Sequence, residues 1–187
     1  RKPLLDKNVT EHAECIDVIE MRRTYRAQLR FAHESKYGGA IHIKNCTDFV
    51  ADNFIIENSA HWSFRIENCN NVKINNFIIN NNRNVANADG FDIAGTSNIT
   101  IDHCFVSTAD DGICIKNAVW LGNTGTMSNI SVTDCEVISR ANSFKIGTET
   151  TYDISNVTVR DCKFMMTDLY PGTVSGIAIE SADGSRV

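Results

Sequence analysis

The chain repeats an apolar–x–apolar triplet six times, and this repeat restricts the possible folds more than any other feature. The triplets open the stretches IHIKN, FRIEN, FDIAG, ICIKN, FKIGT and IAIES, which begin at Ile41, Phe64, Phe91, Ile113, Phe144 and Ile177. Subtracting these positions gives spacings of 23, 27, 22, 31 and 33 residues. A repeat of this length indicates a solenoid, in which each unit buries its apolar side chains only by stacking on its neighbours.

Each complete unit contains two further short segments with strand character. The second segment is NVKI, NITI, NISV or NVTV, and the third is FII, FVS or EVI. Such segments, bounded by Asn, Asp, Ser and Gly, are typical of β-strands. We therefore predict an all-β parallel β-helix with about three short strands per coil over residues 41–187. Residues 1–40 mix strand and helix periodicities, and we expect them to form an irregular leading segment of the same domain.

Bulk properties exclude several classes of function. The formal net charge of −5 gives no electrostatic basis for binding nucleic acid or an anionic membrane surface. The sequence has no apolar run long enough to span a membrane. It begins at Arg1 and stops at SADGSRV within a repeat unit, so we expect a piece of a longer β-helix domain. Nothing in the sequence indicates the oligomeric state.

The seven cysteines do not form a C-x-x-C pair, so neither a zinc ribbon nor a thioredoxin motif is supported. Aligning the repeats predicts a buried thiol ladder in one column, rather than disulfides or metal ligands, at Asn53, Asn76, Cys104, Cys135 and Cys162. Within the repeat units, the glycosylation sequons NCT, NIT, NIS and NVT occur because the repeat places Asn before a strand. They are therefore weak evidence of modification.

Two aspartate motifs one coil apart carry the chemical signal. The stretch NADGFDI contains Asp89, and TADDGICIK contains Asp110 and Asp111. An Asp-Gly pair alone is explained by turn formation. The repeat register, however, stacks Asp89 on Asp111 with Asp110 alongside. Three such close carboxylates repel one another and should divide into protonated and ionised groups, which is what glycoside hydrolysis requires. A calcium site is the chemical alternative.

The residues around this aspartate trio suggest a binding face. The first and third triplet residues point inward, so the second residues should point to solvent, as at Arg65, Asp92 and Lys145. Trp62 lies in the same turn column as Asp89, either to stack on a sugar or to pack beneath loops. Trp120 falls in a longer loop, and we expect it to line the rim of the face.

The two motifs resemble the N-T-D-G-x-D and G-D-D-x-x-x-x-K motifs of glycoside hydrolase family 28, the polygalacturonase and rhamnogalacturonase family. The upstream stretch HWSFRIENCNNVKINNFII is also similar to the family's segment before those motifs. The resemblance covers residues 41–187 and implies a right-handed parallel β-helix, inverting hydrolysis of a pectin-like plant polysaccharide, and no metal or other cofactor. It implies that Asp110 is the proton donor and that Asp89 and Asp111 hold the hydrolytic water. It also implies a secreted or periplasmic location.

The predicted substrate-binding set combines motif residues with their neighbours: Asn87, Asp92, Arg65, Lys116, Asn142, Lys145, Glu149 and Trp62. Two positions depart from the family pattern. Asn142 stands where the family has a histidine, and Ala178-Ile179-Glu180 aligns with the R-I-K triplet that binds the galacturonate carboxylate. Because Glu180 would repel an acidic sugar, we predict a relative that is not an ordinary polygalacturonase and acts on a neutral or differently linked sugar.

Two other functions stay open at the level of sequence. One is a calcium-dependent polysaccharide lyase on the same fold, with Lys145 as the base. The other is a non-catalytic carbohydrate-binding or tailspike-like β-helix, which the missing histidine and R-I-K triplet would allow.

Overall fold

The computed structural model describes residues 39–166 and 172–187, which form a parallel β-helix of about five coils. Each coil adds one strand to each of three parallel sheets, as predicted. The first sheet contains β1 (Ile41–Lys44), β4 (Phe64–Glu67), β7 (Phe91–Ala94), β10 (Ile113–Asn117), β13 (Asn142–Thr150) and β16 (Ser175–Ile179). The second contains β2 (Thr47–Asp52), β5 (Asn70–Asn75), β8 (Ser97–Asp102), β11 (Met127–Thr133) and β14 (Ile154–Arg160). The third contains β3 (Ile55–Glu57), β6 (Ile78–Asn80), β9 (Phe105–Thr108), β12 (Glu136–Ser139) and β15 (Lys163–Met165).

The register of the first sheet confirms the triplet alignment. The first residues of all six triplets pair along the stack, from Ile41 beside Phe64 to Phe144 beside Ile177. Their side chains point into the coil and pack on those of the other two sheets. Phe64, Phe77 and Phe91 form a tilted aromatic cluster in this core, with ring centroids 5.5–5.9 Å apart. The core therefore depends on stacking, as the repeat predicts.

The predicted cysteine column is wrong by one residue in its first two coils. Pairing of β3, β6, β9, β12 and β15 places Cys104, Cys135 and Cys162 in line with Phe54 and Phe77. Asn53 and Asn76 instead occupy the preceding corner, which is left-handed in all five coils, with φ of 50–57°. Asparagine tolerates this conformation better than most residues. The six cysteines in the described part of the chain are free, and Cys104 and Cys135 are buried.

The predicted leading segment falls almost wholly outside the described residues, which begin at residue 39. Within them, the only helix is the short 3₁₀ turn Val119–Leu121. Accordingly, the described ranges contain no helix of the length and apolarity that crossing a membrane requires.

The glycines of the two Asp-Gly pairs are required by the close approach of the coils. A Cβ on Gly90 would lie 2.2 Å from the carbonyl oxygen of Gly112, and one on Gly112 would lie 2.6 Å from that of Ser143. Neither glycine has a left-handed φ. Turn formation alone therefore does not explain these Asp-Gly pairs, since each glycine also allows the backbone of the next coil to pack closely.

We expect Gly90→Ala to lower the free energy of unfolding by about 2 kcal/mol or more, because the new methyl group overlaps the backbone of the neighbouring coil. Urea denaturation of the full-length protein measures this change. The matched control is Gly125→Ala, where nothing lies within 4 Å of the added carbon. Equal stability of the two variants would contradict the proposed coil spacing.

Candidate active site

The structure brings the three predicted catalytic aspartates together at one edge of the first sheet. Asp89 precedes β7, and Asp110 and Asp111 precede β10, so parallel pairing stacks them one coil apart. One carboxylate oxygen from each lies within 4.8 Å of the others. Asp89 and Asp111 are buried, whereas Asp110 is half-buried. Of the three, Asp110 is therefore the most accessible to a ligand.

Asp111 is held by a chain of donors from the next coils. Its Oδ1 accepts hydrogen bonds from the side-chain Nδ2 of Asn142 at 2.7 Å and from the backbone N–H of Asn142 at 3.2 Å. The Oγ of Ser175 donates in turn to the Oδ1 of Asn142 at 2.8 Å, which fixes the orientation of the amide. The Nζ of Lys145 lies 3.3 Å from Oδ2. Three donors, one of them charged, hold the carboxyl group of Asp111 in position.

Asp110 is positioned by backbone groups and hydroxyls. Its Oδ2 accepts from the backbone N–H of Asn87 at 3.2 Å, and its Oδ1 from that of Asp111 at 3.0 Å. Its carbonyl oxygen accepts hydrogen bonds from the hydroxyls of Thr108 at 2.8 Å and Ser139 at 2.6 Å. The sequence did not single out these two hydroxyls. The exposed side chain of Asn87 stays available to a ligand.

Burial and like charges raise the pKa values of Asp89 and Asp110. Burial, together with the carboxylates of Asp92 and Asp110, raises the pKa of Asp89 well above its usual range. Burial and the neighbouring Asp111 also raise the pKa of Asp110. The Oδ1 of Asp89 is buried without a hydrogen-bond partner among the described residues. Both shifts favour the protonated form, and the division of the trio into protonated and ionised carboxyls stays a prediction.

Asp92 differs from its prediction, because it is completely buried and does not face solvent. Its Oδ1 lies 3.4 Å from the Nζ of Lys116, which is within ion-pair distance, yet neither oxygen has a partner with hydrogen-bond geometry. Burial outweighs the effect of Lys116 and raises the pKa of Asp92 to about 7. Lys116 is also buried and lies 3.4 Å from Glu149. Both groups therefore lie beneath the surface of the site.

Trp62 is half-buried and packs against cations. The Nζ of Lys116 lies 4.1 Å from its ring centroid, and the guanidinium carbon of Arg65 lies at 5.1 Å. Arg65 forms an ion pair with Glu67 at 2.6 Å. Trp62 is neither fully buried nor free of intramolecular contacts, and its stacking on a sugar stays a prediction.

Lys145 bridges the trio and the end of the first sheet. Its Nζ lies 3.3 Å from Asp111 Oδ2 and 3.3 Å from the Oε2 of Glu180. Although burial lowers the pKa of Lys145, Asp111 and other neighbours raise it on balance. Lys145 is therefore a stable cation, and Glu180, noted in the sequence only as a departure from the family pattern, is part of the site.

Sequence reasoning also missed two residues behind the trio. The Nη1 of Arg140 donates to the carbonyl oxygen of Arg83 at 2.7 Å and to Asn84 Oδ1 at 3.0 Å, which ties down the loop that leads into Asp89. His61 stands next to Trp62, and burial, followed by Lys116 and Arg65, lowers its pKa. Both residues lie in the turns that precede the triplet strands, where the residue type varies from coil to coil, so the repeat alignment gave no signal for them.

The comparisons with known proteins identify the family. The model of glycosyl hydrolases family 28 matches residues 28–184. The chain belongs to this family. The chain is 39% identical over 95 residues to an endo-polygalacturonase of Pectobacterium carotovorum subsp. carotovorum. This alignment covers 51% of the chain and 21% of that protein. The chain is also 34% identical over 102 residues to a probable polygalacturonase of Arabidopsis thaliana. This second alignment covers 52% of the chain and 19% of that protein.

This family 28 chain thus spans about a fifth of the length of the curated relatives it matches. No solved structure matches it. The family assignment confirms the sequence resemblance. Trp120, in the loop after β10, was predicted to line the rim of the binding face, and its side chain is exposed.

Two clusters of side chains among the described residues of the family 28 chain are spaced closely enough to hold a cation. One is the aspartate trio, and the other is the largely exposed cluster of Asp102, His103 and Asp134. Clustered carboxylates suit a hard cation such as calcium. In the second cluster, however, His103 already pairs with Asp102 at 2.7 Å.

We expect the Asp92→Asn variant of this family 28 chain to lose less stability than the wild type as the pH rises. A carboxyl whose folded-state pKa is raised stabilises the fold at low pH, and this contribution is lost as the pH rises through about 7. The melting temperature of the wild type should therefore fall between about pH 5 and pH 8, and the variant should recover about 4 °C or more of that fall. Differential scanning calorimetry measures both slopes.

Asp161→Asn is the control, since this exposed carboxylate lies between β14 and β15, outside the trio, and forms an ion pair with its neighbour Arg160. It should keep the wild-type pH slope. A slope for Asp92→Asn equal to that of the wild type would show that Asp92 does not titrate in this range.

Proposed function

We propose that the chain contributes the catalytic centre of a glycoside hydrolase that cleaves a pectin-like polysaccharide. The observation that carries this proposal is the stacking of Asp89, Asp110 and Asp111 within 4.8 Å at one sheet edge. A purely structural solenoid gains nothing from three close carboxylates, because their mutual repulsion costs stability. Family membership and the two polygalacturonase relatives support the same chemistry.

In the proposed reaction Asp110 protonates the glycosidic oxygen of the leaving group. It is the most accessible of the three, and its raised pKa suits an acid. Asp111, fixed by Asn142 and Lys145, orients a water molecule and accepts its proton as the water attacks the anomeric carbon. Asp89 completes the water site from the preceding coil. The bond between the anomeric carbon and the leaving oxygen breaks, and both products leave as free sugars.

Inversion of configuration rests on the family resemblance. The two catalytic carboxyl groups of inverting glycosidases generally lie about 6.5–9.5 Å apart, whereas those of retaining glycosidases lie about 5–5.5 Å apart. The nearest oxygens of the trio are closer than the usual inverting distance. We propose inversion with the water held by Asp89 and Asp111 beside Asp110, rather than between widely separated groups.

The surrounding residues support auxiliary roles. Asn87 and Trp62, which have accessible surface, are proposed to contact the sugar, whereas Asp92 and Lys116 support the site from below. Asn142, in place of the family histidine, serves as a donor to Asp111. The missing R-I-K triplet supports a substrate other than plain polygalacturonate, and a substrate of plant cell walls supports a secreted or periplasmic location. The carbohydrate is the only partner proposed.

The lyase alternative requires a neutral amine near the substrate. Lys145 is a poor candidate, since it pairs with two carboxylates and its pKa is raised. We therefore assign no metal and no lyase step. No contact among the described residues favours the non-catalytic binding module over the hydrolase.

We expect Asp110→Asn in the full-length protein to lower kcat on a pectic oligosaccharide by about 10²–10⁴-fold, because the amide cannot donate a catalytic proton. Reducing-end release measures the rate, and proton NMR of the first product identifies its anomer. The account predicts the inverted anomer and no sensitivity to a chelator.

Asp161→Asn again serves as the control and should retain wild-type turnover. Undiminished turnover by Asp110→Asn would remove Asp110 from the acid role. A retained anomer would contradict inversion, and chelator sensitivity together with an unsaturated product would favour the lyase.

A further inference from the structure

Each lysine beside the trio is held between two carboxylates of the chain itself. Lys145 lies 3.3 Å from both Asp111 and Glu180, and its side chain is 13% exposed. Lys116 lies 3.4 Å from both Asp92 and Glu149, and its side chain is 6% exposed. A carboxylate on a substrate would have to compete with these intramolecular partners, which are already in place.

The balance of charge around the trio is acidic. Two lysines face six carboxyl groups in the described part of the site, namely Asp89, Asp92, Asp110, Asp111, Glu149 and Glu180. The nearby Arg65 forms an ion pair with Glu67 at 2.6 Å, a carboxylate that it shares with Lys44 and His42. An anionic sugar entering the site would meet unpaired negative charge, which disfavours its binding.

Glu180 is the most accessible of the four carboxylates that hold these lysines. Its side chain is 43% exposed, against 29% for Glu149 and 6% or less for Asp92 and Asp111. The Oε2 of Glu180 also accepts a hydrogen bond from the hydroxyl of Thr148 at 3.1 Å, so the carboxylate is anchored in position. It therefore faces the solvent beside Lys145, where a sugar substituent would arrive.

We propose that Glu180 is a specificity-determining residue that occupies Lys145 and so selects a sugar without a charged substituent at this position. The inference rests on the proposed glycoside hydrolase function and adds the substrate class. A neutral sugar or a methyl-esterified uronic acid fits this site, because it neither displaces Glu180 nor adds charge. A free uronic acid would find both lysines beside the trio already paired with two carboxylates each.

The test compares two substrates that differ only in charge, a galacturonate trimer and its fully methyl-esterified form. The full-length wild type should hydrolyse the ester with the higher kcat/KM. Glu180→Gln frees Lys145 for the substrate carboxylate and should shift the ratio of kcat/KM values toward the charged trimer by about five-fold. The shift should come mainly from KM for the charged trimer, because the change acts on binding.

The control is Glu136→Gln, which removes the carboxylate of another Lys–Glu pair, formed with Lys163 at 2.6 Å on the third sheet. It should leave the ratio unchanged. A wild-type preference for the charged trimer, or an unchanged ratio in Glu180→Gln, would overturn the inference while leaving the hydrolase function intact. Failure of the wild type on both trimers would contradict the proposed function as well.

Discussion

Parallel hydrogen bonding between β7 and β10 fixes how each coil sits on the next, and the site depends on this register. The backbone N–H of Gly90 donates to the carbonyl oxygen of Asp111 at 2.9 Å, and that of Gly112 donates to Asn142 at 2.8 Å. These two bonds set Asp89, Asp111 and Asn142 in one column. A slip of one residue would turn each of these side chains toward the opposite face. The same bonds require glycine, because no Cβ fits between the coils.

The cost of grouping carboxylates is offset by donors from the following coil. Asp111 receives hydrogen bonds from Asn142 and an ion pair from Lys145, whereas Asp89 keeps a buried oxygen without a partner. Residues of the same type thus have different hydrogen-bonding and ionic surroundings. This asymmetry is the physical basis for assigning different roles to chemically identical side chains. It also explains why Lys145 cannot serve an incoming anion without releasing a partner.

Much of the fold followed from the sequence because a solenoid repeats its pattern. The triplet alignment predicted the pairing of the first sheet and the column that unites Asp89 with Asp111. The alignment failed where the surroundings of a residue decide its burial. Strand alternation placed Asp92 in solvent, but the side chain is completely buried beside Lys116. It also missed Arg140 and His61, which belong to irregular segments, and it shifted the cysteine column because corners vary in residue type. Contacts between separate coils, such as Glu180 with Lys145, are not encoded in any local pattern.

A crystal structure of the full-length protein tests the central claim most directly, which is that coil stacking unites the three carboxylates. The account predicts Phe91 paired with Ile113 and the nearest oxygens of Asp89, Asp110 and Asp111 within 4.8 Å of one another. A different register, with Asp89 one coil removed from the pair or on the opposite face of the strand, would contradict it. The proposed chemistry would then lose its structural basis.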